Sequence, residues 1–321
     1  MKSIRSLLTV AACLLCLPAL SPAQTPTTKP ADSKEPVRWP SRPRMVIWST
    51  PGAEEKPKHG KPSDLLALTQ EKDAVAAHGF DLIAVHADGL VQSGHPDDEI
   101  RRLQMACKAM PGKVLLGTLP IGTDGWEANQ NRPRMELAVG KAAVDDVAQI
   151  TRQRHFGNLA QVDAAGYALV FAHLNRDSKA LKPDALAFYA DSFLALCKEK
   201  NKRCYLWFSA DFLRDENGTA LVRRVIESTK GRVEAYVWMD VPKVVAAGQI
   251  PLDDLLRKIT ELTPADKTII QYRHDKKLKT ETPAKVLDFA EACRQQKIDA
   301  FAVETPWAQL KLKKWAEFYK F

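Results

Sequence analysis

Long apolar runs are scarce in this 321-residue chain. Beyond residue 23 none approaches the roughly 20 residues that a membrane-crossing helix needs, so the body of the chain is not read as spanning a bilayer. Cysteine is also sparse. Of six, Cys13 and Cys16 fall within the first 23 residues, leaving Cys107, Cys197, Cys204 and Cys293. These four form no CxxC and no Cys/His zinc spacing, which argues against the usual zinc scaffolds. In an exported chain cysteines can pair. Cys197 and Cys204, seven apart across a helix-to-strand turn, are the local pair to expect, whereas Cys107 and Cys293 read as buried helix thiols. Glycine-rich turns are missing too. The first strand runs into Ser49, Thr50, Pro51 and Gly52, which is not a dinucleotide fingerprint. No glycine-rich anion nest follows the last two strands, and that disfavours a phosphate ligand. Nor are there long blocks of one charge. The formal net charge is +8, or +6 without Lys2 and Arg5 of residues 1–23. Basic clusters such as Lys276 with Lys277, or Lys313 with Lys314, are short. They read as solvated surface lysines rather than a nucleic-acid stripe.

What the chain does contain begins with an export pattern. Lys2 and Arg5 precede an apolar core at 7–20, and Ser21, Pro22 and Ala23 make a small-residue cleavage site, so residues 1–23 read as a secretory signal. Residues 10–13 also resemble a lipoprotein box that would place a lipid on Cys13, although the apolar run continues past that cysteine. Secretion or periplasmic location is the expectation. Residues 24–43, rich in Pro, Thr, Lys and Ser, read as a disordered linker. The remainder, 44–321, is long enough for one large domain with a full core.

That domain alternates strand and helix. Strands are expected at 45–50, 81–87, 114–119, 168–174, 204–210, 234–240, 268–273 and 300–304. Helical patterns are expected at 63–78, 97–109, 134–153, 182–200, 219–229, 252–263, 283–296 and 310–319. Ser63 and Asp97 read as N-caps, Gly79 as a stop and Pro283 as a first-turn proline. Strict alternation implies a parallel sheet with helical crossovers, and eight units in this length fit a (β/α)8 TIM barrel. Two strand-to-helix connections are long, 51–62 and 120–133. The second carries Trp126, Asn129, Asn131 and Arg132 and would lie on the active face.

Period-two alternation predicts which residues line the mouth. The inward set is Trp48, His86, Asp88, Thr118, His173, Asn175, Ser209, Asp211, Trp238, Asp240, Arg273 and Glu304. Phe171 lies on the same expected face of strand 4. Acids, imidazoles and indoles with one guanidinium suit a carbohydrate, because indole faces stack on sugar C–H faces and carboxylates bind hydroxyls. Glycosidic cleavage needs one protonated and one ionised carboxyl group. Glu304, at the tip of an apolar strand beside Trp307, is the expected proton donor. Asp240, held ionised by Arg273, is the nucleophile or base, and Asp211 is the reserve.

Residues 44–48 (Arg-Met-Val-Ile-Trp), then a helix, then His78-Gly79-Phe80-Asp81-Leu82-Ile83, resemble the opening of glycoside-hydrolase-like barrels. In those a strand-1 tryptophan precedes a helix and a "G-F-(N/D)-x-I" start to strand 2. Many members carry G-x-D-G-(I/V)-x-x-D on strand 4, ending in a catalytic Asp. Here the matching run, 166–173, ends in His173. Three readings follow. One is a secreted glycoside hydrolase acting on a poly- or oligosaccharide without a cofactor. Another is a sugar-binding barrel without catalysis. The third is a metal-dependent hydrolase using His86, Asp88, His173 and Asp211, although strand 1 lacks the His-x-His common in such sites.

Overall fold

A computed structural model of the chain describes residues 38–48, 68–87, 90, 96–118, 156–171, 183–248, 250–274, 282–305, 310 and 313–319. Eight parallel strands close into a barrel in chain order. They are β1 Arg42–Trp48, β2 Leu82–His86, β3 Val114–Thr118, β4 Gly166–Phe171, β5 Arg203–Ser209, β6 Ala235–Met239, β7 Thr268–Arg273 and β8 Ala300–Thr305. The ring closes where β8 pairs with β1, from Arg42 opposite Ala300 to Trp48 opposite Thr305. Around it lie α1 Lys72–Ala76, α2 Pro96–Ala109, α3 Pro183–Glu199, α4 Glu216–Thr229, α5 Val241–Ala246, α6 Leu252–Leu262, α7 Pro283–Gln295 and α8 Lys313–Phe318. Every strand runs the same way, so all strand C-termini meet at one pole and all N-termini at the other. The expected helix at 134–153 and the loops at 51–62 and 120–133 lie outside the described residues, as does Ser63.

Local chemistry explains the helix starts. Thr282 caps α7 by accepting from the Lys285 amide (3.4 Å), with Pro283 at the first turn as its fixed φ favours. Asp97 is not a cap, because α2 already begins at Pro96 and Asp97 sits in its first turn beside Asp98 and Glu99, where acids suit the helix dipole. Helix α4 starts three residues before the apolar pattern does. The Asp215 carboxylate accepts from the Gly218 amide at 2.7 Å and captures that extra turn. A Cβ on Gly218 would lie 2.3 Å from the Phe212 carbonyl oxygen. Gly218→Ala should therefore lower stability by about 1–3 kcal/mol, the usual range for overpacking, read as a fall in melting temperature.

Two apolar layers hold the barrel. Inside it, Met45, Ile47, Tyr205, Trp207, Val237 and Ile269 pack with Ala84, Ala168, Ala235, Ala300 and Ala302. Strand β5 thus supplies the bulk and its neighbours the small partners. Gly117 belongs to this arrangement: a Cβ there would stand 3.3 Å from Val170 and 3.4 Å from the Trp207 ring. The outer layer, between strands and helices, contains Val46, Leu116, Phe171, Phe208 and Trp238. Behind β7, buried His274 Nε2 meets the Tyr319 hydroxyl at 2.7 Å, and Trp315 packs edge-on to the same imidazole. Trp39, ahead of β1, stacks on Tyr319, so the segment before β1 and the last helix share one aromatic cluster.

The four described cysteines are free and buried. Cys197 and Cys204 are neighbours as thiols rather than a disulfide; a hydrogen bond from one to the other and burial both hold the Cys204 thiol protonated. Burial pushes Cys107 and Cys293 up to about 12. At pH 8 these two should not react with a thiol reagent until the chain unfolds. In the unfolded chain thiols ionise near their ordinary value of about 8.5, so the folded state, which holds the protons, loses stability as pH rises from there toward 12. Thiol titration with and without denaturant, and melting curves from pH 8 to 11, check both statements.

Candidate functional site

The alternation of buried residues decides what reaches the mouth. On β5, Tyr205 and Trp207 point into the barrel, so Ser209 lies at its rim; on β7, Ile269 leads to Gln271 and Arg273; on β8, Ala300 and Ala302 lead to Glu304. On β2, Leu82 and Ala84 lead to His86, whose ring stands edge-on to Trp207 with centroids 6.0 Å apart. Four of the expected mouth residues, His86, Ser209, Arg273 and Glu304, therefore arrive by simple alternation.

Asp240 arrives by a different route. Val237 and Met239 are the inward residues of β6, so continued alternation would turn residue 240 toward the helices. Instead Asp240 adopts a left-handed backbone, φ +60° and ψ 12°, and ends the strand. Aspartate tolerates this conformation better than most residues. Its Oδ2 accepts from the Ser209 hydroxyl at 2.8 Å, and its amide donates to Gln271 Oε1 at 2.6 Å.

Gln271 is the centre of the array. It is fully buried, and its amide orientation is fixed from both sides: Oε1 accepts from the Asp240 amide while Nε2 donates to Glu304 Oε2. The other Glu304 oxygen faces Arg273 Nε at 3.5 Å. A polar ladder thus crosses four strand ends, from Ser209 through Asp240 and Gln271 to Glu304 and Arg273. Arg273 engages Glu304, not Asp240 as the sequence reading had it. Asp211 extends the ladder outward. It lies in the 3-10 turn Ala210–Arg214, its amide donates to the Ser209 hydroxyl (3.3 Å), and its carboxylate meets Lys243 at 3.3 Å and Arg214 at 3.6 Å.

Other expected mouth residues are elsewhere. Trp238 is on the outer face of β6. It packs on Phe208 and donates from Nε1 to Thr263 Oγ1 at 3.2 Å. Both faces of β6 are apolar, so alternation alone could not orient that strand. The same ambiguity inverted β4: Ala168 and Val170 are inward, and Phe171 stacks outside on Phe208 with parallel rings 5.3 Å apart. Thr118 is buried on the outward register of β3, because Leu115 and Gly117 take the inward positions. On β1 the inward positions are 45 and 47, so residue 48 has the outward register; nothing further of the Trp48 side chain is described. Asp88, Trp126, His173, Asn175 and Trp307 lie outside the described residues. Among the described residues no three of His, Cys, Asp or Glu gather as a metal site would require.

Gln271 and Lys243 were missed as mouth residues. A neutral amide and a helix lysine carry no catalytic signature. Gln271 did, however, occupy an inward position on the strand between those of Asp240 and Glu304, and a buried amide there has to be bonded.

No protein-family model matches the chain, and no curated protein does either. Solved structures do. A GH18 chitinase from Pseudoalteromonas aurantia aligns with a TM-score of 0.52 at 10% identity, covering 84% of this chain and 96% of that one. A protein assigned as an alpha-L-fucosidase from Bacteroides thetaiotaomicron aligns with a TM-score of 0.50 at 9% identity, covering 90% and 94%. At such identities the likeness is one of fold alone, a closed (β/α)8 barrel.

Proposed function

We propose that the barrel mouth binds a carbohydrate and cleaves a glycosidic bond with Asp240 and Glu304 as the two carboxyl groups. The observation that carries this reading is their common attachment to Gln271 at the C-terminal pole, where barrel enzymes keep their chemistry. Both Glu304 oxygens face donors, the Gln271 amide and the Arg273 guanidinium, which suits an ionised nucleophile or base. Asp240, the other carboxyl group of the ladder, takes the role of proton donor in this proposal. The roles are thus the reverse of those read from strand character alone. Asp211, neutralised by Lys243 and Arg214, orients substrate at the rim. The chitinase and fucosidase neighbours support the reading as precedent only, since one fold carries many chemistries. Export directed by residues 1–23 is part of the same proposal.

Binding without cleavage is the second reading. It is favoured by the engagement of both Glu304 oxygens with protein donors, which is also how a structural carboxylate is held. Incubation of the purified protein with chitin, β-glucan, xylan and pectin separates the two. Release of new reducing ends supports hydrolysis, retention on a polysaccharide without release supports binding alone, and neither outcome on any substrate rejects both.

A further inference from the structure

The positive charge of the chain is scattered in sequence but gathered in space. Because the strands are parallel, the eight turns that lead into them share the pole opposite the mouth. These turns are residues 38–44, 77–81, 110–113, 161–165, 200–203, 230–234, 263–267 and 296–299. They hold eleven Lys and Arg against five Asp and Glu, a net charge of +6 in 39 residues. That equals the whole excess of the chain beyond residue 23, so the rest of it is balanced. Arg42 and Arg44 share Asp81, Lys200 pairs with Glu199, Lys202 with Asp163 and Arg232 with Asp191, whereas three other cations donate to carbonyl oxygens of the neighbouring turn rather than to acids. Lys113 reaches Phe80 O (3.1 Å), Arg203 reaches Ala165 O (3.3 Å) and Lys267 reaches Val233 O (3.0 Å). A neutral carbonyl closes the barrel floor but leaves the charge uncancelled. Arg38, Lys200, Lys230 and Lys297 add exposed charge at the edges.

From this arrangement we propose that the base of the barrel is a docking surface for a membrane rich in anionic phospholipid headgroups. Three observations select lipid among polyanions. Among the described residues the pole is built of short turns, one of them the 3-10 turn Ala265–Lys267, with no longer helix or strand projecting from it to enter a nucleic-acid groove. Its large aromatics are occupied, since Phe80 is buried and Trp39 packs on Phe301, Phe318 and Tyr319, so among the described residues no platform remains for stacked bases or sugars. Charge density alone suffices for an anionic lipid surface. A membrane bound there leaves the mouth, at the opposite pole, open.

Sedimentation of the full-length chain with vesicles tests the proposal. Vesicles with about one-third phosphatidylglycerol should bind at least about tenfold more tightly than pure phosphatidylcholine. The preference should vanish at about 0.5 M NaCl, where screening is nearly complete within a few ångströms. It should be lost in the combined variant Arg38→Glu, Lys200→Glu, Lys230→Glu, Lys297→Glu. It should survive in Arg101→Glu, Arg223→Glu, Arg257→Glu, Lys285→Glu, which changes net charge equally on helix surfaces. If the basal reversal abolishes the cooperative melt, the same four positions changed to Gln carry the test, with an intermediate loss expected. Equal binding to both vesicle types, equal loss in both combined variants, or duplex DNA outcompeting the vesicles at equal anion concentration would overturn it.

Discussion

Asp240→Asn should lower the turnover of any polysaccharide the protein cleaves by about a thousandfold, within the range that a general acid contributes, while leaving KM and the melting temperature nearly unchanged. The substitution is clean for structural reasons. Asparagine adopts the left-handed backbone at least as readily as aspartate. Its side-chain oxygen can still accept from Ser209, and its amide can still donate to Gln271. Only the ability to give a proton is removed. Glu304→Gln should cost a similar factor in turnover and should also destabilise the fold by about 1–3 kcal/mol. The new amide can turn its NH2 toward the Gln271 donor or toward Arg273, and either choice leaves donors facing each other. Initial-rate kinetics with thermal melts of both variants separate the effects. If both variants match wild-type rates, the carboxylates are structural.

The second large effect lies beneath the site. Trp207→Ala should cost about 3–5 kcal/mol, because the indole fills the barrel against Gly117 and the alanines of the neighbouring strands. A comparison with Trp238 sharpens the test. Both indoles are fully buried, one inside the barrel and one outside. Trp238 Nε1 donates to Thr263, whereas Trp207 Nε1 has no hydrogen-bond acceptor among the described residues. Replacement by Phe removes similar volume at each position. Trp238→Phe should therefore be the costlier of the two by about 1 kcal/mol, the net worth of one hydrogen bond. Chemical denaturation of the two variants under identical conditions reads the difference directly.

These two tryptophans also mark what the sequence could reveal. All eight strands, their order and the closed parallel barrel follow from alternating strand and helix patterns. Orientation followed only where the two faces differ in chemistry near the strand end. On β5, β7 and β8 the run into Ser209, Arg273 and Glu304 made the inward face plain. On β6 and β4, tyrosine, tryptophan and phenylalanine sit on one face and small aliphatics on the other, and both are buried. The large residues were assigned inward, yet the interior already holds Tyr205 and Trp207 and has room only for Ala168, Val170, Ala235 and Val237. Volume across the barrel, which no single strand records, decided the matter. Asp240 reached the mouth despite the inverted strand because its positive φ reversed the turn, and no period-two rule anticipates that. The gathering of basal charge is likewise a product of topology, since residues as distant in sequence as Arg38 and Lys297 share a pole only when the barrel closes.

The most direct test of the carbohydrate reading is a crystal structure of Asp240→Asn soaked with oligosaccharides from whichever polysaccharide the wild type degrades or retains. A sugar ring at the C-terminal mouth, within hydrogen-bonding reach of Glu304 and of the substituted side chain at 240, is the expected result. A saccharide seated against the helical shell or the basal pole, with the Asp240–Gln271–Glu304 ladder untouched, would contradict it.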